Sequence, residues 1–344
     1  MNVNLLIKTL IFGVFVLLFS SYFIAKNKGV QSFEKTQLLT EFDASLVEVI
    51  KMQTAKNDDL MSVKKVNGQW LLSNKFDYPL DTAQLSKLLQ SLKDAKIIEL
   101  KTKQDKYFSR LGLQNIDKPT SVATLLTFES KEQSIQVLLG NESTSASGRY
   151  VRLAGSSQTY LVDLDIDLPE ASSDWLKPDI VPIEYAQIRQ VDITLPENSF
   201  SIVRKESDDE SADITVTDEL TVLSEENDKV RLKDNFELVE TVEGKKLQYD
   251  SILTGLVRNI INLTVKDVQL GESHQMPVYQ TLILNYVDKA AHQALPNQQM
   301  SLKLFKTDDE TPTYWLQKNN DKWLLQISEF DFKQVSKPLN DYLE

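Results

Sequence analysis

The chain of 344 residues carries 38 basic and 50 acidic side chains and no cysteine. Its first 28 residues hold three lysines and no acid, so the remainder sets 35 basic against 50 acidic groups, a surface that disfavours nucleic acid and anionic lipid. The missing thiols exclude thiolate nucleophiles, Cys/His zinc sites and a lipoprotein anchor, while a hydrophobic share of 41% is enough for real cores.

Residues 9–25, TLIFGVFVLLFSSYFIA, contain no charge. The stretch Leu5–Ala25 is long enough to span a bilayer, which needs about 17–25 apolar residues. Lys8 can snorkel at one end, and Tyr22 and Phe23 suit the interface at the other. A cleaved signal is the rival reading. Its apolar region is shorter, about 7–15 residues, and Phe23 spoils a small-x-small site ending at Ala25. A buried soluble helix is a third. The expectation is an uncleaved anchor over residues 1–28. Its direction stays open. Lys26 and Lys28 against Lys8 lean toward a cytoplasmic body, whereas the absence of cysteine fits an exported one.

A polar stalk is expected over 29–44, then a first domain over 45–180. Strands are expected at Leu46–Ile50, Leu60–Val66 and Gln69–Ser73, the last two joined by a hairpin turn at Asn67-Gly68. Asp81 or Thr82 caps a helix with Leu85, Leu88, Leu89 and Leu92 on one side. Ile97–Leu100 reads as strand and Tyr107–Leu111 as a short helix. Period-2 alternation returns in Val122–Phe128, Ile135–Leu139, Tyr150–Leu153 and Thr159–Val162. A helical turn ends at Trp175-Leu176-Lys177-Pro178.

Pro178 and Pro182 mark a join, and the second domain, 181–344, repeats the order. Strands are expected at Val191–Leu195 and Phe200–Arg204, with another hairpin in 220–223 and 236–242. Asp250 caps a helix carrying Ile252, Leu253, Leu256, Val257, Ile260 and Ile261. Val265–Leu270, Tyr279–Tyr286, Met300–Phe305, Tyr314–Gln317 and Trp323–Gln326 follow as strands, and Phe330–Tyr342 as a closing helical segment. Asp81 and Asp250 lie 169 residues apart, Tyr150 and Tyr314 164, Tyr160 and Trp323 163. So steady an offset favours an internal duplication. The expected fold class is α+β: an N-terminal transmembrane helix, then two similar domains of mostly antiparallel sheet with packed helices.

One order of motifs stands out. Gly68-Gln69-Trp70-Leu71-Leu72 leads into the first helix, followed by Tyr107-Phe108-Ser109-Arg110-Leu111-Gly112-Leu113 with Pro119. Val137-Leu138-Leu139-Gly140, Tyr150-Val151 and Thr159-Tyr160-Leu161-Val162 come next. This order resembles the domain-of-unknown-function 4340 family, well over about residues 45–180 and weakly beyond. The resemblance implies a membrane-anchored extracytoplasmic subunit, of a kind often encoded beside ABC-type transport components related to the gliding-motility transporter. It implies no catalytic residues.

Chemistry-bearing residues are few. His274 and His292 are the only histidines, and no G-x-S-x-G, Walker A or G-x-G-x-x-G pattern occurs. Asp163, Asp165 and Asp167 alternate, as calcium ligands on a strand face would, but Leu168 sits where a calcium loop needs glycine. They read as a solvated strand end, and the acidic run Asp208-Asp209-Glu210 as a solvated loop. Trp70, Trp175, Trp315 and Trp323 read as core residues rather than a sugar platform. No catalytic, cofactor-binding or metal-binding residue is assigned, and no cofactor is expected. The function expected is a non-enzymatic accessory or scaffolding subunit of an ABC-type transport system. It would bind the transporter's membrane subunits, the inner membrane through its first helix, and no nucleic acid, with its body in the periplasm. The alternative is a tethered carboxylate-dependent hydrolase of envelope glycans or peptides. A third expectation is self-association through open sheet edges.

Overall fold

The computed structural model describes residues 36–40, 42–144, 147–205, 236–271, 276–287 and 298–344. The expected anchor at 1–28, both histidines, the acidic run 208–210 and the segment 220–223 lie outside the described residues. Among the described residues, no helix is long and apolar enough to cross a membrane.

Two antiparallel sheets with few helices make up the fold, an α+β arrangement in which sheet predominates. The first is built from β1 (Val49–Thr54), β2 (Met61–Val66), β3 (Gln69–Leu72), β4 (Tyr78–Pro79), β5 (Ile97–Leu100), β6 (Thr124–Glu129), β7 (Ser134–Glu142), β8 (Arg149–Leu153) and β9 (Thr159–Val162). The second holds β10 (Ile188–Thr194), β11 (Ser199–Arg204), β12 (Phe236–Leu238), β13 (Asp267–Leu270), β14 (Val278–Tyr286), β15 (Gln298–Lys306), β16 (Tyr314–Lys318) and β17 (Trp323–Ile327). Among the described residues the orders are β4-β3-β2-β1-β6-β7-β8-β9-β5 and β12-β11-β10-β14-β15-β16-β17-β13. With β4 set aside, the two are the same. Three strands paired antiparallel in sequence order precede a helix; the strand after it takes the far edge, and a four-strand meander fills the middle. Tyr150 and Tyr314 thus occupy matching strands, as do Tyr160 and Trp323.

Local chemistry explains the elements. Asn67 and Gly68 both adopt positive φ, 51° and 83°, which a two-residue hairpin of the right twist requires. Helix α1 (Thr82–Asp94) starts at Asp81, whose Oδ1 accepts from the N–H groups of Ala83 and Gln84 at 2.9 and 3.2 Å. Its Leu85, Leu88 and Leu92 are buried. A short α2 (Phe108–Leu111) follows a 3-10 turn at Asp105–Tyr107. Helix α3 (Ile252–Ile261) buries Leu253, Leu256, Val257 and Ile260. It starts at Ser251 with no side-chain cap, so Asp250 is not its capping residue. Helix α4 (Glu329–Val335) is capped by Ser328, and Pro338 stops it from reaching Tyr342; a separate 3-10 turn covers Leu339–Tyr342.

Several strand ends differ from the sequence expectation. The first strand begins at Val49, because Ala44–Leu46 coil into a 3-10 turn that leaves Leu46 59% exposed. β6 begins at Thr124 and β13 at Asp267. Of the hairpin expected in 220–223 and 236–242, the described part holds β12, three residues on the edge of β11.

Isolated pairs fasten the ends of each half. Gln37 bridges Lys96, and Leu38 and Leu39 are buried, so this stretch belongs to the packed body. Asp179 bridges Thr264 in the same place of the second half. Leu80 bridges Leu176 before α1, and Leu247 bridges Leu343 before α3. The residues preceding the last partners, Trp175 and Tyr342, are 1% and 3% exposed.

The chain divides into two compact units. One takes residues up to Leu46, Leu88–Leu126 and Ile135–Ile166; the other takes Val47–Lys87, Thr127–Ser134 and Asp167–Glu344. In the first, Phe108, Leu113, Ala123 and Leu138 form a buried cluster. In the second, Leu282, Leu284, Leu302, Leu304, Phe305 and Leu316 are wholly buried on successive strands.

Candidate functional site

Two places gather unusual side chains. The first, in the first compact unit, is where the glycine motifs meet. Gly112 ends α2 with φ 70°, and the Leu113 N–H bonds back to the Phe108 carbonyl at 2.8 Å. A Cβ on Gly112 would lie 2.6 Å from Asn141 Oδ1, and one on Gly140 would lie 2.3 Å from the Leu111 carbonyl oxygen. The two glycines let the α2 loop lie flat on β7. Arg152 of β8, only 4% exposed, locks this contact. Its Nε and Nη2 donate to the Leu113 carbonyl at 3.3 and 3.1 Å, and Nη1 donates to the Ser156 carbonyl at 3.0 Å. Nη2 also reaches Asn115 Oδ1 at 2.5 Å, and the guanidinium stands 4.7 Å from the Phe108 ring centre. Among the described residues it meets no carboxylate, and burial pulls its pKa below the usual arginine value. The motif residues from Tyr107 to Arg152 are therefore a structural fastening.

The second place is a cleft of about 470 Å³ in the other unit. It opens where β4 leaves β3 and turns into α1. On β3, β4 pairs with Leu71 and Leu72 and stops short of Gln69 and Trp70, which form one wall. Pro79, Leu80, Asp81 and Thr82 form another, and Lys177-Pro178-Asp179 the third. Trp70 is half-buried, with the Lys65 ammonium 5.8 Å from its ring centre across the β2–β3 pair. The third wall is held firmly. The Asp81 N–H donates to the Trp175 carbonyl at 2.9 Å, the Lys177 N–H to the Pro79 carbonyl at 3.1 Å, and the Val265 N–H to the Pro178 carbonyl at 3.0 Å.

Behind this wall Tyr78 is buried against Trp323, ring centres 5.3 Å apart and edge to face. Trp323 Nε1 donates to the Phe76 carbonyl at 3.0 Å. Burial first, then the carboxylates of Asp321 and Asp179, push the Tyr78 phenol up to about 12. Lys318 donates to the Ile180 carbonyl at 3.2 Å. Burial lowers its pKa, aided by Lys177 and opposed by Asp321. The folded chain holds the Tyr78 proton more tightly than the unfolded chain does. Its contribution to stability is whole below pH 10 and is lost as the pH rises toward 12. Tyr78→Phe is expected to remove about 2 kcal/mol of the stability loss over that window, read from urea unfolding at pH 9, 10, 11 and 12.

Other sequence candidates fall elsewhere. β9 stops at Val162, so Asp163, Asp165 and Asp167 lie beyond the strand; they point outward while Leu164 and Ile166 are buried. Asp163 Oδ1 accepts from the Lys96 N–H at 2.5 Å, which pins this segment. Among the described residues, no group of three His, Cys, Asp or Glu is placed to hold a metal. Of the four tryptophans, Trp175 alone is a core residue; Trp70, Trp315 and Trp323 are half-buried. The sequence did not reveal the cleft, whose walls come from segments as far apart as Trp70 and Asp179. Of the features that stand out in the sequence, Pro178 and the Trp70 strand line it.

Comparison with curated proteins returns no match, and comparison with solved structures returns none. A family model described as "Domain of unknown function (DUF4340)" matches residues 70–273. The match begins at Trp70 itself and contains the whole glycine–arginine fastening. It starts later than the 45–180 span of the sequence resemblance and runs past the proline join to the end of β13. With more than half of its length matched, the chain belongs to the DUF4340 family.

Proposed function

We propose that this chain is a non-enzymatic accessory subunit of an ABC-type transport system in the cell envelope. Residues 1–28 hold it in the inner membrane, and its acidic body stands in the periplasm and binds the transporter's membrane subunits or their cargo. The observation that carries this reading is the uncharged run 9–25 set before a body with 35 basic and 50 acidic residues. The edges of both sheets supply the means of binding. β13 is an edge strand that presents Leu270, 55% exposed, to an incoming chain, and β5, closed at Ile97 by the Thr36 carbonyl, presents Leu100, 49% exposed, beyond that contact.

Fusion of a reporter after Glu344 tests the placement. An alkaline phosphatase fusion is expected to be active and to sediment with membranes, and to become soluble when residues 1–28 are deleted. Activity of a cytoplasm-only reporter at the same position would contradict it.

A further inference from the structure

We propose that the cleft around Trp70 binds a neutral oligosaccharide. Its volume of about 470 Å³ falls within the small-ligand range of about 300–1,000 Å³. The walls combine one half-buried indole with five polar groups: the Gln69 amide, the Asp81 carboxylate, the Thr82 hydroxyl, the Lys177 ammonium and the Asp179 carboxylate. Asp81 uses Oδ1 to cap α1, leaving Oδ2. Among the described residues, the other four side chains make no hydrogen bond or ion pair.

That inventory matches a sugar. The C–H face of a pyranose covers an indole, and its ring of hydroxyls both donates and accepts. Two carboxylates accept hydrogen bonds from hydroxyls, while an amide and an ammonium donate to hydroxyl oxygens. Other ligands fit less well. An anion would face Asp81 and Asp179 against a single Lys177. An extended peptide adding a strand would find only Gln69 and Trp70 unpaired on β3, because the far side of β4 is already bonded to Trp175–Lys177. A polyproline segment docks between several aromatic rings, and Trp70 is the only one lining this cleft. The cleft is also preformed, since hydrogen bonds to Pro79, Trp175 and Pro178 fix its third wall. This inference goes beyond the accessory role and does not depend on it; a soluble or partnerless chain would keep the cleft.

The test is a calorimetric titration of the full-length chain, held in a detergent without a sugar headgroup, with chitotetraose, maltotetraose and tetraproline. Saturable binding of at least one oligosaccharide is expected. Trp70→Ala should weaken it at least about tenfold, and Asp179→Ala, which removes an exposed side chain and leaves the backbone bridge to Thr264 in place, should weaken it measurably while leaving the melting temperature unchanged. Trp315→Phe, in the second sheet, should bind as the parent does. Three results would overturn the assignment: no saturable binding of either sugar, sugar binding unchanged in both Trp70→Ala and Asp179→Ala, or tetraproline binding in place of sugar.

Discussion

Arg152→Met is expected to lower the unfolding free energy by about 2–4 kcal/mol, since it strips a buried carbonyl of its partner and removes a cation from an aromatic face. Leu113 is 0% exposed, so its carbonyl has no water to turn to when Nε and Nη2 are gone. The Ser156 carbonyl and the Asn115 side chain lose their donors at the same time. Relief from burying a cation offsets part of this, which is why the expected loss is not larger. Arg152→Lys separates charge from shape. A lysine keeps the charge but cannot span three acceptors with one ammonium, so it should be as unstable as the methionine variant. Urea unfolding of the full chain is the measurement. A lysine variant as stable as the parent would show that charge, and not the forked geometry, holds the α2 loop.

Gly140→Ala has an effect of similar size from the opposite cause. The added methyl would stand 2.3 Å from the Leu111 carbonyl oxygen and 2.9 Å from Leu113 Cδ2. A flexible side chain could swing away, but a backbone oxygen at the end of α2 cannot, and Arg152 holds the neighbouring Leu113 carbonyl. The cost is expected near the upper end of overpacking, about 3 kcal/mol. Gly255 is the internal control. It lies in the middle of α3 with open space around its Cβ position, so Gly255→Ala should stabilise the chain by about 0.4–1 kcal/mol. Thermal melts of the two variants should therefore move in opposite directions. Equal and small shifts would mean that the α2 loop does not lie on β7 as described.

The glycines were legible in the sequence as motifs but their purpose was not, and Arg152 carries no sequence signal of its own. The Gly112-Leu113 and Leu139-Gly140 motifs stand out as a string, yet only the fold brings Gly140 against Leu111 and places Arg152 beneath both. The repeated element order was legible because each strand and helix carries its own period, and the sheet orders follow it closely. Ends were harder. Leu46 and Val47 look like strand, but Leu46 turns to solvent in a 3-10 turn and the ladder starts at Val49. The Gln37–Lys96 and Asp179–Thr264 bridges are too short to leave any periodic trace, although they decide where each half begins. Asp163, Asp165 and Asp167 alternate because Leu164 and Ile166 pack inward, not because they share a strand. The cleft was invisible for a simpler reason. Trp70, Asp81 and Asp179 come from three segments, and nothing local marks that a free stretch of β3, the start of α1 and the join should face one another.

The accessory role is tested most directly by recovery of the partner. Membranes from cells expressing the full chain and a tagged ABC transporter membrane subunit would be solubilised gently and the transporter captured. The account predicts that the chain is recovered with it in a fixed ratio, and that deletion of residues 1–28 reduces or abolishes this. Recovery of the transporter free of the chain, with the chain intact in the same membranes, would contradict it.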